Sequence, residues 1–271
     1  MKKGQISNLL RRLGLMYCAD WVIYHLQRFK NLKVNKDFKL MNPDVKLPPD
    51  YLIYESFQIN YQKYYNDGIE TAKWLADCFK KHIDLIDKRI LDWGCGPGRI
   101  IRHLPDVIGN HCDFLGTDYN KKSIDWCSKN LIGIKFNHNN LNALLPYEDN
   151  SIDVIYGISV FTHLSERLHY EWYSELYRIL KPKGIMFLTT QGDNFKVKLT
   201  YSELEKYNSN QLVVRGKVKE GHRTFSAFHP NGFMRRLFNN VEILEHIETK
   251  PEKGKKLPQD IWIVRKKITI A

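Results

Sequence analysis

ILDWGCGPGRIIRHL, Ile90 to Leu104, is the stretch on which the fold turns. It opens as a buried strand, passes Gly94, Gly96 and Gly98 within five residues, and ends in apolar residues at helical spacing. A strand, a glycine turn and a helix can cradle a ligand at the carboxyl end of a parallel strand. The same order also serves as a plain connection. Spacing tests two ligand classes. A phosphate-binding P-loop needs Gly-Lys-Ser/Thr after the glycines, and Arg99 follows instead. A dinucleotide fingerprint wants its third glycine at position 99, where Arg99 stands. What remains is Asp-x-Gly-x-Gly-x-Gly, with Asp92 at the strand end.

Beyond the loop, strands and helices alternate. Residues 113–117 read as a second strand, 121–130 as a helix and 134–137 as a short third strand. Residues 152–158 form an apolar fourth strand, introduced by the turn residues Glu148, Asp149, Asn150 and Ser151. A long helix is predicted over 165–180, with Leu168, Trp172, Leu176 and Ile179 on one side, and a fifth strand over 185–190. This alternation predicts a parallel sheet covered on both faces. Residues 241–247 and 261–265 have no helix between them and read as an antiparallel pair at the sheet edge. The expected class is α/β, a Rossmann-like seven-stranded, mostly parallel sheet with helices on both faces.

Upstream, Leu9, Leu10, Leu13, Met16, Tyr17, Val22, Ile23 and Leu26 recur at helical spacing with Arg11, Arg12 and Arg28 among them, which predicts a basic helix over 7–29. MNPDVKLPPDYL, 41–52, is a proline-punctuated linker, and 57–81 reads as one or two helices. A helix opening at Gly98 is expected after the loop. The division expected is a basic N-terminal helical extension with its linker, 1–52, then a main domain, 53–271, with a lid-like insertion over 192–228.

At 43% hydrophobic and 13% aromatic residues, the chain can bury a large core. The net charge of +12 is uneven: residues 1–40 carry +7 and 248–271 carry +4, leaving +1 for the body. A groove that tracks nucleic-acid phosphates wants positive charge across its working face, so nucleic acid is not the expected partner. Basic ends on a neutral body suit solvated tails or peripheral contact with an acidic surface. The five cysteines lack metal-ligand or paired spacing, which fits a reducing cytosol. No apolar run approaches the roughly 20 residues of a membrane span, and no secretory leader is read at the N-terminus. No metal is implied. The expected setting is cytoplasmic, with peripheral contact at the inner face of a membrane as the open alternative.

A carboxylate at Asp92 repels a pyrophosphate but can hold an ammonium group. S-adenosylmethionine has such an amino group, carries no phosphate and bears a positive sulfonium. Asp118, ending the second strand in LGTDYN, can accept hydrogen bonds from both ribose hydroxyls. Asn139, Asn140 and Leu141 follow the third strand, where a side chain can meet an adenine edge, and Ser159 to Leu164 follow the fourth.

LDWGCGPGR, LGTDYN, LPYEDNSIDVIYGISVFTHL and ELYRILKPKGIMFLTT together resemble class I S-adenosylmethionine-dependent methyltransferases. The likeness extends to a bacterial branch with SVFTHL after the fourth strand, whose members resemble enzymes of surface-polysaccharide and other glycan biosynthesis. It covers roughly 88–191 closely and the C-terminal strands loosely. The resemblance implies that Asp92, Gly94, Cys95 and Gly96 cradle the methionine part, that Asp118 with Tyr119 takes the ribose, that Asn140 and Leu141 take adenine, and that Ser159 lies near the sulfur. The family often has Asp where Asn140 stands; an amide oxygen can still accept from adenine N6. S-adenosyl-L-homocysteine is the implied product.

Methyl transfer to a hydroxyl needs a base, and His163 is the first candidate, with His222, His229 and Asp260 as others. His163 as a helix cap or loop brace is the competing reading. Cys95 reads as a small packed residue offering its backbone N–H. The acceptor expected first is a sugar hydroxyl of a glycan, lipid-linked or phosphorylated; small natural products come second, and protein or RNA third. A non-catalytic S-adenosylmethionine-binding protein is the alternative from another class. The N-terminal helix can serve as a lid over the cofactor or as a membrane contact.

Overall fold

The computed structural model describes residues 3–268. Its strands are β1 (Arg89–Trp93), β2 (Asp113–Asp118), β3 (Ile134–His138), β4 (Ile152–Gly157), β5 (Leu180–Thr190), β6 (Val213–Arg215), β7 (Ser226–Phe228), β8 (Val241–Ile247) and β9 (Asp260–Lys266). Seven of them form one sheet in the order β3-β2-β1-β4-β5-β9-β8; β6 and β7 form a separate pair. The expected seven-stranded, mostly parallel sheet is what the chain builds. By contact the chain forms two compact units: residues 17–140, and the N-terminal 16 residues with everything from Leu141 onward.

In the first of these, β1 and β2 pair in parallel, as do β2 and β3. Ile90 and Leu91 are adjacent and both fully buried, as a strand covered on both faces requires. The predicted basic helix is in fact two, α1 (Lys3–Arg12) and α2 (Met16–Lys30), because Gly14 takes the left-handed conformation between them. Next come α3 (Leu32–Met41), α4 (Asp50–Ser56) and α5 (Tyr61–Lys80), with the proline linker between α3 and α4. The Asn60 side chain caps α5 by accepting from Lys63 N–H. Phe38, Ile53, Tyr61 and Tyr64 bind α3, α4 and α5 into one apolar cluster.

The helix expected to open at Gly98 begins later. Residues after the loop make a turn and a 3-10 segment, Ile101–His103, before the short α6 (Leu104–Ile108). Gly98 has φ +73°, which a right-handed helix cannot use, and Pro105 suits a first helical turn. A Cβ at Gly98 would also lie 2.5 Å from Leu131 Cδ1. Helix α7 (Lys121–Asn130) forms where the sequence predicts it, N-capped by Asn120.

In the second unit, every residue of β4 is buried. Helix α8 (Glu166–Ile179) starts at the Ser165 cap and buries Leu168, Trp172, Leu176 and Ile179. Strand β5 pairs in parallel with β4 and starts five residues earlier than predicted, with Leu180 opposite Ile152 across a register irregularity. Strands β9 and β8 complete this edge antiparallel, as expected. Between β5 and α10 (Asn231–Leu237), the insertion has its own small core of Phe195, Leu199, Tyr207, Val213 and Phe228. Its helix α9 (Tyr201–Asn208) opens on a Thr200–Glu203 capping box. Glu203 also takes Arg215 at 2.6 Å in a buried ion pair. The α1 residue Arg11 is buried and donates to the carbonyls of Arg215, Gly216 and Thr224, so the N-terminal helix braces the insertion.

Replacing Gly98 by Ala forces a side chain into a left-handed backbone and against Leu131. The expected loss is about 2–4 kcal/mol of stability, read from the shift in a urea unfolding midpoint at unchanged m-value.

Candidate active site

Gly94, Gly96 and Gly98 all have positive φ, at 79°, 51° and 73°. Three left-handed residues in five coil the backbone tightly with no side chains on its surface. The coil is anchored from below: Gly94 N–H and Cys95 N–H both donate to the Thr117 carbonyl, at 2.8 and 3.0 Å. Gly96 N–H instead meets Asp118 Oδ2 at 2.8 Å. The other oxygen, Oδ1, accepts from Asn120 N–H at 2.7 Å. Helix α5 holds the far side, where the fully buried Tyr64 donates from its hydroxyl to Pro97 O at 3.0 Å.

Asp118 is buried, and burial pushes its carboxyl pKa up against the pull of those two N–H groups. A carboxylate has about four acceptor positions, so both oxygens can each accept once more. Vicinal ribose hydroxyls supply two such donors. Asp92 is also buried, at the end of β1. Burial, then the Asp92 and Asp118 charges, push the Cys95 thiol well above its usual range. A thiol held protonated is no nucleophile. Its sulfur fills the space left by Gly116, where a Cβ would lie 3.1 Å away. The Cys95 N–H is engaged by Thr117, so this residue shapes the loop from within. Two buried carboxylates beneath a bare glycine coil suit an ammonium group and hydroxyls, and repel phosphate. The donor set fits S-adenosylmethionine.

At the end of β3 the two asparagines divide the work. Asn139 is buried; it accepts from Thr117 Oγ1 at 2.6 Å and donates to Asn140 O, while the Asn140 side chain is exposed. Tyr119 is half-buried, and its carbonyl accepts from His138. Composition and spacing missed Thr117 and Asn120. They also missed Glu55, whose carboxylate accepts from the Asn120 side chain at 2.7 Å and so ties α4 to the β2 turn.

In the other unit, Leu141 O accepts from Trp172 Nε1 at 3.0 Å, which fixes the start of this segment on α8. Ser159 follows β4 with φ +64°, an unusual conformation for serine. A closed polar set holds it there: its N–H donates to Thr189 Oγ1, its hydroxyl meets Thr162, and Gln259 donates to it at 2.8 Å. Gln259 also accepts from Thr189.

The histidines then separate by tautomer. His163 Nδ1 lies 2.8 Å from Phe225 O, which only accepts, so Nδ1 carries the proton and Nε2 presents a lone pair. That Nε2 has no hydrogen-bond partner among the described residues. Burial lowers the His163 pKa, and the nearby Arg223 and His222 lower it further against the Phe225 bond. His222 is set the other way, with Nδ1 accepting from Thr224 N–H at 3.3 Å and facing its hydroxyl at 2.8 Å. His229 is buried and turned toward His169, with their Nε2 atoms 2.9 Å apart; burial drives its pKa well below the usual value. Asp260 accepts from His246 Nε2 at 3.1 Å. His229 Nδ1 is also without a partner among the described residues, but His229 is only 1% exposed while His163 is partly exposed, so His163 is the candidate whose open nitrogen is not sealed in the core.

His246, Glu248 and Asp260 bring possible metal-ligand atoms within 4.8 Å of one another. Arg235 Nε donates to Asn231 Oδ1, which turns the Asn231 amide nitrogen onto His246 Nδ1. His246 therefore carries its proton on Nε2 and donates it to Asp260 Oδ2, while the buried Asp260 Oδ1 has no hydrogen-bond partner among the described residues.

A family model described as a methyltransferase domain matches residues 90–184. A tRNA N(3)-methylcytidine methyltransferase of Schizosaccharomyces pombe is 30% identical over 214 residues, which are 73% of this chain and 68% of that protein. The chain belongs to the class I S-adenosylmethionine-dependent methyltransferases. Its cofactor is S-adenosylmethionine, released as S-adenosylhomocysteine. This methyltransferase is also 28% identical over 154 residues to a phthiotriol/phenolphthiotriol dimycocerosates methyltransferase of Mycobacterium ulcerans, covering 52% of this chain and 54% of that one. A solved S-adenosylmethionine-dependent methyltransferase of Methanosarcina mazei matches with a TM-score of 0.55 at 20% identity, over 71% of this chain and 98% of that one. That likeness supports the fold alone.

Asp118→Ala removes the acceptor for Gly96 N–H and Asn120 N–H, and with it the carboxylate expected to take the ribose hydroxyls. Calorimetric titration is expected to show S-adenosylmethionine affinity falling at least about 100-fold, since hydrogen bonds to a charged group are worth roughly 1.5–3 kcal/mol each. Unchanged affinity would remove Asp118 from the site.

Proposed function

We propose that this methyltransferase O-methylates a sugar hydroxyl of a glycan, with His163 as general base. The observation that carries the base assignment is the His163 tautomer. A neutral imidazole with its proton anchored on Phe225 O and its Nε2 open is the state a base must start from. His163 follows β4, and ligands of open α/β sheets bind beyond the carboxyl ends of the strands.

When bound, S-adenosylmethionine supplies a methyl carbon activated by its sulfonium. As the new carbon–oxygen bond forms and the methyl–sulfur bond breaks, with its electron pair returning to the sulfur, the acceptor hydroxyl becomes strongly acidic. His163 Nε2 takes that proton, and the resulting imidazolium, still held at Nδ1 by the Phe225 carbonyl, returns it to water. The Phe225 bond keeps the ring from rotating during this exchange. The rest of catalysis is positioning, for which in-line geometry between the attacking oxygen and the methyl carbon is the main requirement.

The glycan class rests on the SVFTHL resemblance and on the base, which a hydroxyl acceptor needs. The relatives' names span tRNA, lipid and quinone acceptors, so they do not select the acceptor of this chain. A glycan carried on a lipid would place the reaction at the inner face of a membrane and give the basic ends an acidic partner. A small natural product is the second reading.

His163→Gln is expected to lower kcat by about 10²–10⁴-fold with S-adenosylmethionine affinity unchanged. In the native enzyme, activity should fall on the acid side as His163 gains a proton. Because its pKa is lowered, that limb lies below about 6.5, and His163→Gln should flatten it. Labelled methyl groups should appear in O-methyl sugars after hydrolysis of glycan acceptors. Label confined to non-sugar products would overturn the glycan assignment, and an unaltered acid limb would overturn the base.

A further inference from the structure

Helix α2 is turned inside out. Its inward-facing positions include Asp20, Tyr24 and Gln27, the polar and aromatic ones. Tyr54 donates from its hydroxyl to Asp20 O and Oδ1, at 2.9 and 2.8 Å. Gln27 Oε1 accepts from Ile59 N–H, and Tyr24 packs edge-on against Tyr51 and Tyr54. No residue of this helix is buried. The opposite face carries Trp21, Val22, Leu26 and Phe29, a helical stripe of large apolar side chains that are all exposed, Trp21 at 63% and Phe29 at 77%. An amphipathic helix that serves a core does the reverse.

Helix α3 continues the pattern. It turns Asn35 and Phe38 inward and exposes Leu32, Leu40 and Met41, with Lys33, Lys36, Lys39 and one acid, Asp37, exposed among them and Lys39 lying over the Tyr61 ring. Arg28 and Lys30 are exposed at the end of α2. Large apolar side chains exposed in this number along two successive helices are what an interaction surface shows.

We propose that the outer faces of α2 and α3 dock onto an anionic lipid bilayer, lying in its interface. Trp21, Leu26 and Phe29 enter the acyl boundary, while the lysines keep their ammonium groups among acidic headgroups and lay their stems along apolar surface. No helix of the described residues is long and apolar enough to cross a membrane, so this is attachment to the surface. Charge selects the bilayer over a second copy of the chain. A two-fold contact would set the same lysine-bearing face against itself, and like charges across an interface are costly. Docking rests on these helices alone and does not depend on the acceptor being a glycan.

The test is flotation of the full chain with vesicles of phosphatidylcholine alone or with about one-third phosphatidylglycerol. The protein should float with the anionic vesicles and be released by added salt. Trp21→Glu combined with Phe29→Glu should weaken partitioning at least about tenfold while calorimetry shows S-adenosylmethionine binding intact, which separates lost docking from lost folding. Lys33→Gln and Lys36→Gln should each reduce the preference for anionic vesicles by about fivefold. Failure to float on either vesicle, or equal flotation of the double variant, would overturn the proposal. So would a dimer in sedimentation that the double variant dissociates while neither protein binds vesicles.

Discussion

The Asp118 carboxylate holds the glycine loop in shape by taking Gly96 N–H on one oxygen and Asn120 N–H on the other. Three left-handed residues in five would be a floppy coil on their own, because glycine loses more conformational freedom on folding than any other residue. The carboxylate and the Thr117 carbonyl convert it into one fixed turn. The same oxygens retain acceptor capacity, which is what vicinal hydroxyls of a ribose would need. Burial without a cationic partner is costly for a lone carboxylate; here backbone N–H groups offset part of that cost. The constraint propagates, since Asn120 caps α7 and its amide reaches Glu55 on α4.

A second polar lock shapes the other unit. Ser159 is kept in its left-handed conformation by Thr162, Thr189 and Gln259, residues from the 3-10 turn after β4, from the end of β5 and from the approach to β9. Strain of this kind persists only where the surroundings over-determine it. The turn that follows carries His163, and β7 of the insertion supplies the neighbouring Phe225 carbonyl that selects its tautomer. Arg11 and the Glu203–Arg215 pair steady the insertion itself. The basicity of one imidazole thus traces back to a helix at the start of the chain, by contacts that can be followed residue by residue.

Much of this was legible in the sequence. The strand alternation, the antiparallel edge and helix α7 follow from periodicity and caps, which are local signals. Asp92 and Asp118 stand where strand ends meet glycine or turn residues. The misreadings were local as well. A continuous apolar period concealed the break at Gly14, and a helix was expected at Gly98 although its left-handed backbone postpones α6 to Leu104. Periodicity says which face a residue takes if a helix forms, but it does not give the sign of φ.

By itself the sequence determined the sheet, the glycine loop after β1 and the acidic residues at the strand ends, because each depends on spacing within one short segment. Only the tertiary structure decided the tautomer of His163, since the carbonyl on its Nδ1 comes from a residue 62 positions away. It also decided that Asn139 is structural while Asn140 is exposed, and that α2 turns its polar side inward. Hydrogen-bond partners of buried polar groups are chosen by long-range packing, and one dimension does not record which distant chain segment will supply them.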